Sequence, residues 1–346
     1  MPNPVPPPFL SIIVPSAAPE RHLGRLLRTL LGEPGGPEII VVVDASALPS
    51  CLPPAGPSVR FLCTGARLGP AAARNLGAAH ARGDILLFLD DDTLPAPGLP
   101  SSILHAFARH PESAAIYGSY DDSPEAPQLV SQFKNLQHHF VHTSNPGPSA
   151  TFWAGCGAVR REVFNALGGF NRIFAEPSIE DIELGMRLAE HGYLVLLDPS
   201  LRVKHLKRWT LRSLLVTDHR LRALPWCRLL LERRTLPRQL NLGWRHRIGV
   251  LTAVLGLPCL LLAPLWPPWA LVGLACWAAS LGCQFDFLSF LARHSGPAFA
   301  TVSSALILMY HLNAGLALSR ALVAHTLRRA FARCRVSRPA AAAASQ

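Results

Sequence analysis

Lysine is almost absent from this chain of 346 residues. Of its 33 basic residues only Lys134, Lys204 and Lys207 are lysine. With so much alanine and proline, this reads as a bias of the whole composition. It weakens any claim that one arginine was selected for two-pronged phosphate binding. Charge of either sign is scarce as well: 16% of residues are charged against 49% hydrophobic, with mean hydropathy +0.24. That excludes a disordered chain and argues against a purely soluble globule. None of the eight cysteines forms a CxxC pair, and three sit in apolar runs. This argues against a zinc site or disulfide framework and fits a reducing cytosol. The proline-rich start has no basic segment, and the apolar run from Phe9 to Val14 is short, so no signal peptide is expected.

The charge that is present is divided along the chain. Residues 1–200 hold 13 Lys+Arg against 19 Asp+Glu, whereas residues 201–346 hold 20 against 3. An acidic front and a basic, apolar back suggest a soluble domain followed by a membrane-associated one.

Residues 10–120 alternate β-rich runs (Leu10–Val14, Ile39–Val43, Val59–Cys63, Ile85–Leu89, Ala114–Tyr120) with helical patterns (Glu20–Leu31, Ala71–Ala81, Leu99–Arg109). Such alternation predicts parallel strands with crossover helices, hence an α/β sandwich. Residues 121–150 are polar and turn-rich and read as a mobile surface excursion. A last strand, Leu194–Leu197, leads through Pro199 to His205. Residues 206–247 form a basic helical connector. Three apolar stretches follow, Ile248–Leu265, Pro268–Cys283 and Pro297–Leu318, and the tail 328–346 is basic and expected to be disordered.

In an open α/β sheet, ligands bind at the carboxyl ends of the strands. Two acidic sites fall there: Asp44, and the run Asp90-Asp91-Asp92. Adjacent carboxylates repel, and a divalent cation relieves that cost; hard oxygen ligands suit Mg²⁺ or Mn²⁺ shared with substrate phosphates. Asp44 can accept from a base or ribose, or simply shape a turn. Arg74, near a helix start, can meet a diphosphate or lie on the surface. Glu180 and Asp181 open a helix, where the dipole favours acids, and either can serve as a general base at a rigid entrance. Gly155 and Gly157, just upstream, would let backbone approach an acceptor. After the last strand, His205 can complete a metal site with an aspartate, Arg208 can neutralise a leaving diphosphate, and Trp209 can stack on a ring or sit at a membrane interface. If His205 and Asp92 share one cation, their nitrogen and oxygen must lie within roughly 6 Å.

Taken together, these residues resemble the family 2 glycosyltransferases with the GT-A fold. Residues 9–15 (FLSIIVP) look like the opening nucleotide-binding strand. Residues 69–93 (GPAAARNLGAAHARGDILLFLDDDT) are similar to the family's sugar-nucleotide core with its DxD motif. Residues 155–187 (GCGAVRREVFNALGGFNRIFAEPSIEDIELGMR) resemble its acceptor loop and acidic motif. The resemblance covers about residues 9–210. It implies a GT-A catalytic domain over 1–205 that binds a nucleoside-diphosphate sugar over Pro15, Asp44, Arg74, Asp90 and Asp91. It further implies a divalent metal on Asp92 and His205, and Asp181 as the base for inverting transfer to a hydroxyl. Glu180, Gly155, Gly157, Arg208 and Trp209 would then serve the acceptor and the leaving group. Processive members carry Gln-x-x-Arg-Trp; here the place reads His205-Leu206-Lys207-Arg208-Trp209, which implies addition of a single sugar.

Arginines precede the first apolar stretch and follow the third. Basic flanks on both sides call for an even number of crossings. The expectation is therefore two spans, from the first two stretches, with the third as an interfacial or re-entrant helix within residues 248–327. The catalytic domain would lie at the cytosolic face of the plasma (inner) membrane, with a lipid-linked or glycan acceptor of the cell envelope. Two alternatives remain: a polyprenyl-phosphate sugar synthase, and a catalytically silent membrane scaffold. Nucleic acid is not expected as a partner, because the basic residues adjoin the apolar stretches.

Overall fold

The computed structural model describes residues 9–32, 36–50, 52, 57–234 and 242–336, with side chains described to residue 330. The chain divides into two compact units, the first running to Leu211 and the second from Arg212 onward. The proline-rich start, Arg238 and residues 337–346 lie outside the described residues, as do the side chains of Arg333 and Arg335.

The first unit is built on one mixed sheet. Its strands are β1 (Leu10–Ser16), β2 (Glu38–Val43), β3 (Val59–Cys63), β4 (Ile85–Leu89), β5 (Thr93–Pro95), β6 (Ser113–Tyr120), β7 (Gly147–Pro148), β8 (Cys156–Arg160) and β9 (Leu194–His205). Their order is β3-β2-β1-β4-β8-β6-β9-β5, with β7 on β9. The helices are α1 (Leu23–Leu31), α2 (Pro70–His80), α3 (Leu99–Arg109), α4 (Leu129–Thr143), α5 (Arg161–Ala166) and α6 (Glu180–Glu190). Strands β1, β2 and β4 are parallel to their neighbours β1–β3, and every one of their residues is buried. That explains their mostly apolar sequences, since helices cover both faces; the buried polar pair Ser11 and Glu38 is joined by a 2.6 Å hydrogen bond from the Ser11 hydroxyl. Leu23, Leu26, Leu27 and Leu30 set the buried face of α1. Gly77 lets α2 approach the sheet, because a Cβ there would lie 2.5 Å from Ile13.

Residues 121–150 differ from the expected mobile excursion. Fifteen of them form α4. Three histidines interrupt its apolar pattern and disguise it, yet two of these are internal groups. His139 Nδ1 pairs with the Tyr120 carbonyl at 2.8 Å and His142 Nδ1 with that of Gly118 at 2.9 Å, tying α4 to β6. The last strand also runs on to His205 rather than stopping at Leu197.

The second unit is helical: α7 (Leu211–Val216, whose first residue closes unit 1), a π-helical turn (Thr217–Ala223), α8 (Leu224–Arg233), α9 (Trp244–Leu262), α10 (Pro268–Gly282), α11 (Phe285–Ser295) and α12 (Pro297–Val336). Among the described residues two helices are long and apolar enough to cross a membrane, α9 and the Pro297–Ala330 part of α12. The pair α10 and α11 is bent by 69° and would make a third if it acts as one span. By length and apolarity these candidates fall differently from the expected parts. The third apolar stretch belongs to the longest helix, while the second is short and broken at Gln284. Three helices meet on His311, which is fully buried. The single Ser280 hydroxyl proton goes to the Gly249 carbonyl at 2.8 Å, so the hydroxyl accepts from His311 Nδ1 at 2.8 Å; His311 Nε2 then faces the Gln284 amide at 3.3 Å. Every polar atom of the ring thus has a partner away from water, as apolar surroundings demand.

Candidate active site

The carboxyl ends of β1 and β4 bring the acidic run to Ser16. The Ser16 hydroxyl donates to Asp91 at 2.5 Å. Burial, with Asp92 and Asp90 alongside, pushes the Asp91 carboxyl up to about 7 despite that bond. Asp90 takes a different partner. Arg74 reaches from α2 and donates to Asp90 at 2.8 Å and to Glu180 at 2.8 Å. Arg74 and Glu180 are both buried. The guanidinium was expected to meet a diphosphate; in the structure it is an internal strut between β4 and α6.

Asp92 is placed by strand register. β5 pairs antiparallel with β9, setting Thr93 opposite His205, and the Leu206 amide donates to the Asp92 carbonyl at 2.9 Å. As a result His205 Nε2 lies 3.7 Å from Asp92 Oδ2. Burial alone would raise the Asp92 carboxyl; His205, with Lys207 and His22, holds it below its ordinary value. Among the described residues no three His, Cys, Asp or Glu side chains converge as a metal cluster. One carboxylate and one imidazole nevertheless suit a hard cation that takes its remaining ligands from substrate phosphates and water.

The His205 ring stacks on Tyr120, with centroids 4.2 Å apart and planes 16° from parallel. Tyr120 in turn meets the Trp153 ring edge to face at 4.8 Å. Trp153 explains the glycines after it. A Cβ on Gly155 would lie 2.4 Å from the Trp153 ring, and one on Gly157 would lie 2.3 Å from the Trp153 carbonyl oxygen. Both were expected to open the backbone to an acceptor; their room is taken by Phe152 and Trp153 instead.

Asp181 stands at the first turn of α6. The Ala154 amide donates to its Oδ2 at 3.1 Å and the Ile182 amide to its Oδ1 at 2.8 Å. Burial, then the neighbouring Glu180, lifts its carboxyl to about 7 against the pull of Arg74 and these amides. Asp181 also lies within the electrostatic range of Arg74.

Other expected residues take structural places. Asp44 accepts from the Thr64 hydroxyl at 3.1 Å and the amides of Leu68 and Gly69 at 2.8 and 3.0 Å. It thereby shapes the turn before α2, the turn reading that the sequence left open beside a base or ribose contact. Trp209 was expected to stack on a ring or sit at a membrane interface; it is buried, and its amide donates to the Ser131 hydroxyl at 2.8 Å. Pro15 is buried inside β1, and Arg208 is exposed. Sequence reasoning missed Ser16, Tyr120 and Trp153. The one available signal was an aromatic pair, Phe152-Trp153, shortly before two closely spaced glycines.

A family model described as Glycosyl transferase family 2 matches residues 11–168. The chain carries a family 2 glycosyltransferase domain. It is 26% identical over 234 residues to an N-acetylglucosaminyl-diphospho-decaprenol L-rhamnosyltransferase of Mycobacterium tuberculosis, covering 57% of this chain and 76% of that one. It is 30% identical over 204 residues to a pre-mycofactocin glycosyltransferase of the same organism, 56% of this chain but only 43% of the relative. Its fold is like that of a mannosyltransferase from Pyrobaculum calidifontis solved in complex with GDP-Man and Mn²⁺. The TM-score is 0.54 at 17% identity, over 90% of this chain and 87% of that one. The family 2 domain therefore transfers a sugar from a nucleotide sugar, on a GT-A-like mixed sheet followed by helices that could span a membrane.

Proposed function

We propose that the chain is an inverting, non-processive glycosyltransferase that moves one sugar to a hydroxyl of a lipid-linked acceptor. Residues 1–205 form the catalytic module, 206–247 the connector and 248–327 the membrane region, with the module on the cytosolic side. The observation that carries this reading is Asp181: a carboxylate raised to about 7, oriented by two amides and joined to Asp90 through Glu180 and Arg74. A base with that value is half ionised near neutral pH and accepts a proton with little driving-force penalty. The hydroxyl, once relieved of its proton, attacks the anomeric carbon on the face opposite the diphosphate. One such carboxylate in line serves inversion.

Asp92 and His205 would hold a divalent cation on the donor diphosphate, where it supplies neutralisation of the charge that develops on the leaving group. Asp91, held by Ser16, borders that position. The stack of Tyr120 on His205 keeps the imidazole facing Asp92. The lipid-linked acceptor is supported by the candidate membrane helices and by the decaprenol-linked acceptor in the rhamnosyltransferase's name.

Asp181→Asn tests the reading. Loss of transfer with donor binding intact supports a hydroxyl acceptor that needs a base. Full transfer by the variant would instead favour a phosphate acceptor, which needs none, and hence the polyprenyl-phosphate synthase.

A further inference from the structure

Arg320 occupies a particular place on α12. The helix carries no Asp, Glu, Lys or Arg across the 23 residues from Pro297 to Ser319. At about 1.5 Å per residue that run is roughly 35 Å long, close to the hydrocarbon thickness of a bilayer with some tilt. Arg320 is the first charge after it. If α12 crosses, this side chain arrives at the depth of the lipid phosphates.

The side chain is also held in place. Arg320 Nη1 donates to His219 Nε2 at 3.0 Å, His219 Nδ1 donates to Asn313 Oδ1 at 2.8 Å, and Asn313 Nδ2 donates to the Leu215 carbonyl at 3.4 Å. Chemistry fixes the direction of these bonds. A guanidinium has no acceptor, so His219 Nε2 offers a lone pair, and the ring is neutral with its proton on Nδ1. His219 is buried in the π-helical turn Thr217–Ala223, which packs on α12. Its neighbour Asp218 lies with Arg222, at 3.6 Å, and not with Arg320. Among the described residues no carboxylate lies within ion-pair distance of Arg320.

A carboxylate partner would both orient and neutralise a guanidinium. A neutral imidazole orients it and leaves the charge whole, with Nη2 and Nε still to be satisfied. That is the arrangement an incoming anion needs, since a preorganised planar fork matches phosphate oxygens. Arg220 and Arg228, exposed on the π-helical turn and on α8, add attraction without a fixed geometry.

We propose that Arg320, oriented by His219 and Asn313, binds the phosphate of a lipid headgroup at the boundary of the membrane helices. The inference rests on the membrane reading above and goes beyond the catalytic residues. The ligand chemistry is a phosphate ester carrying an apolar tail. A prenyl diphosphate and an anionic phospholipid both offer it, and the test separates them.

Full-length protein in phosphatidylcholine nanodiscs is titrated with a short-chain prenyl diphosphate. Arg320→Gln should lower its affinity roughly tenfold, the loss of one charge-assisted paired contact. His219→Leu leaves the charge but releases it, and should cost several-fold; Arg320→Lys, which keeps the charge without the fork, should fall between wild type and Arg320→Gln. Arg228→Gln removes an unoriented charge and should cost less than about twofold, and inorganic diphosphate, without a tail, should bind weakly and ignore Arg320→Gln. Equal losses for Arg228→Gln and Arg320→Gln, or no loss for Arg320→Gln, would overturn the proposal. Displacement of the prenyl diphosphate by an equal amount of phosphatidylglycerol identifies a phospholipid as the ligand; resistance identifies the prenyl diphosphate. Nucleotide-sugar binding, read on the same discs, should be unchanged in every variant. Its absence from wild type would refute the catalytic reading and leave the Arg320 result standing. A chain that does not stay with neutral discs removes Arg320 from headgroup depth and overturns the inference.

Discussion

Arg74 joins two acids, Asp90 after β4 and Glu180 next to Asp181, which the proposal assigns to the donor side and to the side of the base. Replacing it with methionine leaves both carboxylates without their cation, one of them fully buried. We expect Arg74→Met to destabilise the first unit by about 3–5 kcal/mol, read as a lower denaturant midpoint, and Arg74→Met/Glu180→Leu to recover part of that loss. Under the proposed mechanism Asp181 sets the rate, and its bound proton also affects stability. Transfer should rise with pH through about 7 as this carboxyl ionises. In Asp181→Asn that limb should vanish, with turnover down by about 10²–10⁴-fold. Stability should move the opposite way. The folded carboxyl binds its proton more tightly than an unfolded one, so stability falls as pH rises from about 4 to about 7. Asp181→Asn should flatten that slope in denaturant titrations. For the cation, Asp92→Ala should abolish Mn²⁺ binding in the presence of nucleotide, measured by calorimetry; an unchanged affinity would remove Asp92 from that role.

Elements show which parts of the sequence could be read and which could not. The parallel strands were legible because apolar runs of five or six residues admit few other structures when bounded by turns. The acidic run was legible because its place after β4 is fixed by that pattern. Helix α4 was hidden, since His138, His139 and His142 look like solvent-facing residues until β6 supplies carbonyls for two of them. The short β5 was hidden for another reason: its three residues form a strand only because β9 returns to pair with them. Asp44, Gly155 and Gly157 were visible as unusual residues, but their neighbours Thr64 and Trp153 decide what they do. Glycine in α6 gives a direct test of such packing. A Cβ on Gly185 would lie 2.1 Å from the Phe152 amide nitrogen, so Gly185→Ala should cost about 1–3 kcal/mol and displace Asp181 at the start of the same helix. Gly24 in α1 meets nothing closer than 3.7 Å, and Gly24→Ala should stabilise by about 0.5–1 kcal/mol in the same unfolding assay.

At the scale of the whole chain, the acidic first unit and the basic helical second unit were legible from charge alone, whereas the roles of the apolar stretches were not. Hydropathy could not reveal that Gln284 breaks the second stretch while the third continues as one helix. Helices α9 and α12 pack side by side in the same direction, His246 beside Tyr310 and Val254 against Gly315. If both cross, the bent pair returns the chain through the bilayer, and Arg247 and Arg328 lie on opposite sides, against the expectation of an even number of crossings. Single cysteines at the two positions should therefore differ in accessibility to a membrane-impermeant label; one shared accessibility would mean an even number of crossings. The strut from Arg74 to Glu180 joins residues 106 apart in sequence. If the proposed site holds, a growing polypeptide has no complete centre until α6 has been made, and His205 would close it only afterwards. The apolar helices follow directly behind. On the proposed site, a nascent chain would stay inert toward sugar nucleotides for most of its synthesis and would become competent just as the segments that would fix it to a bilayer emerge.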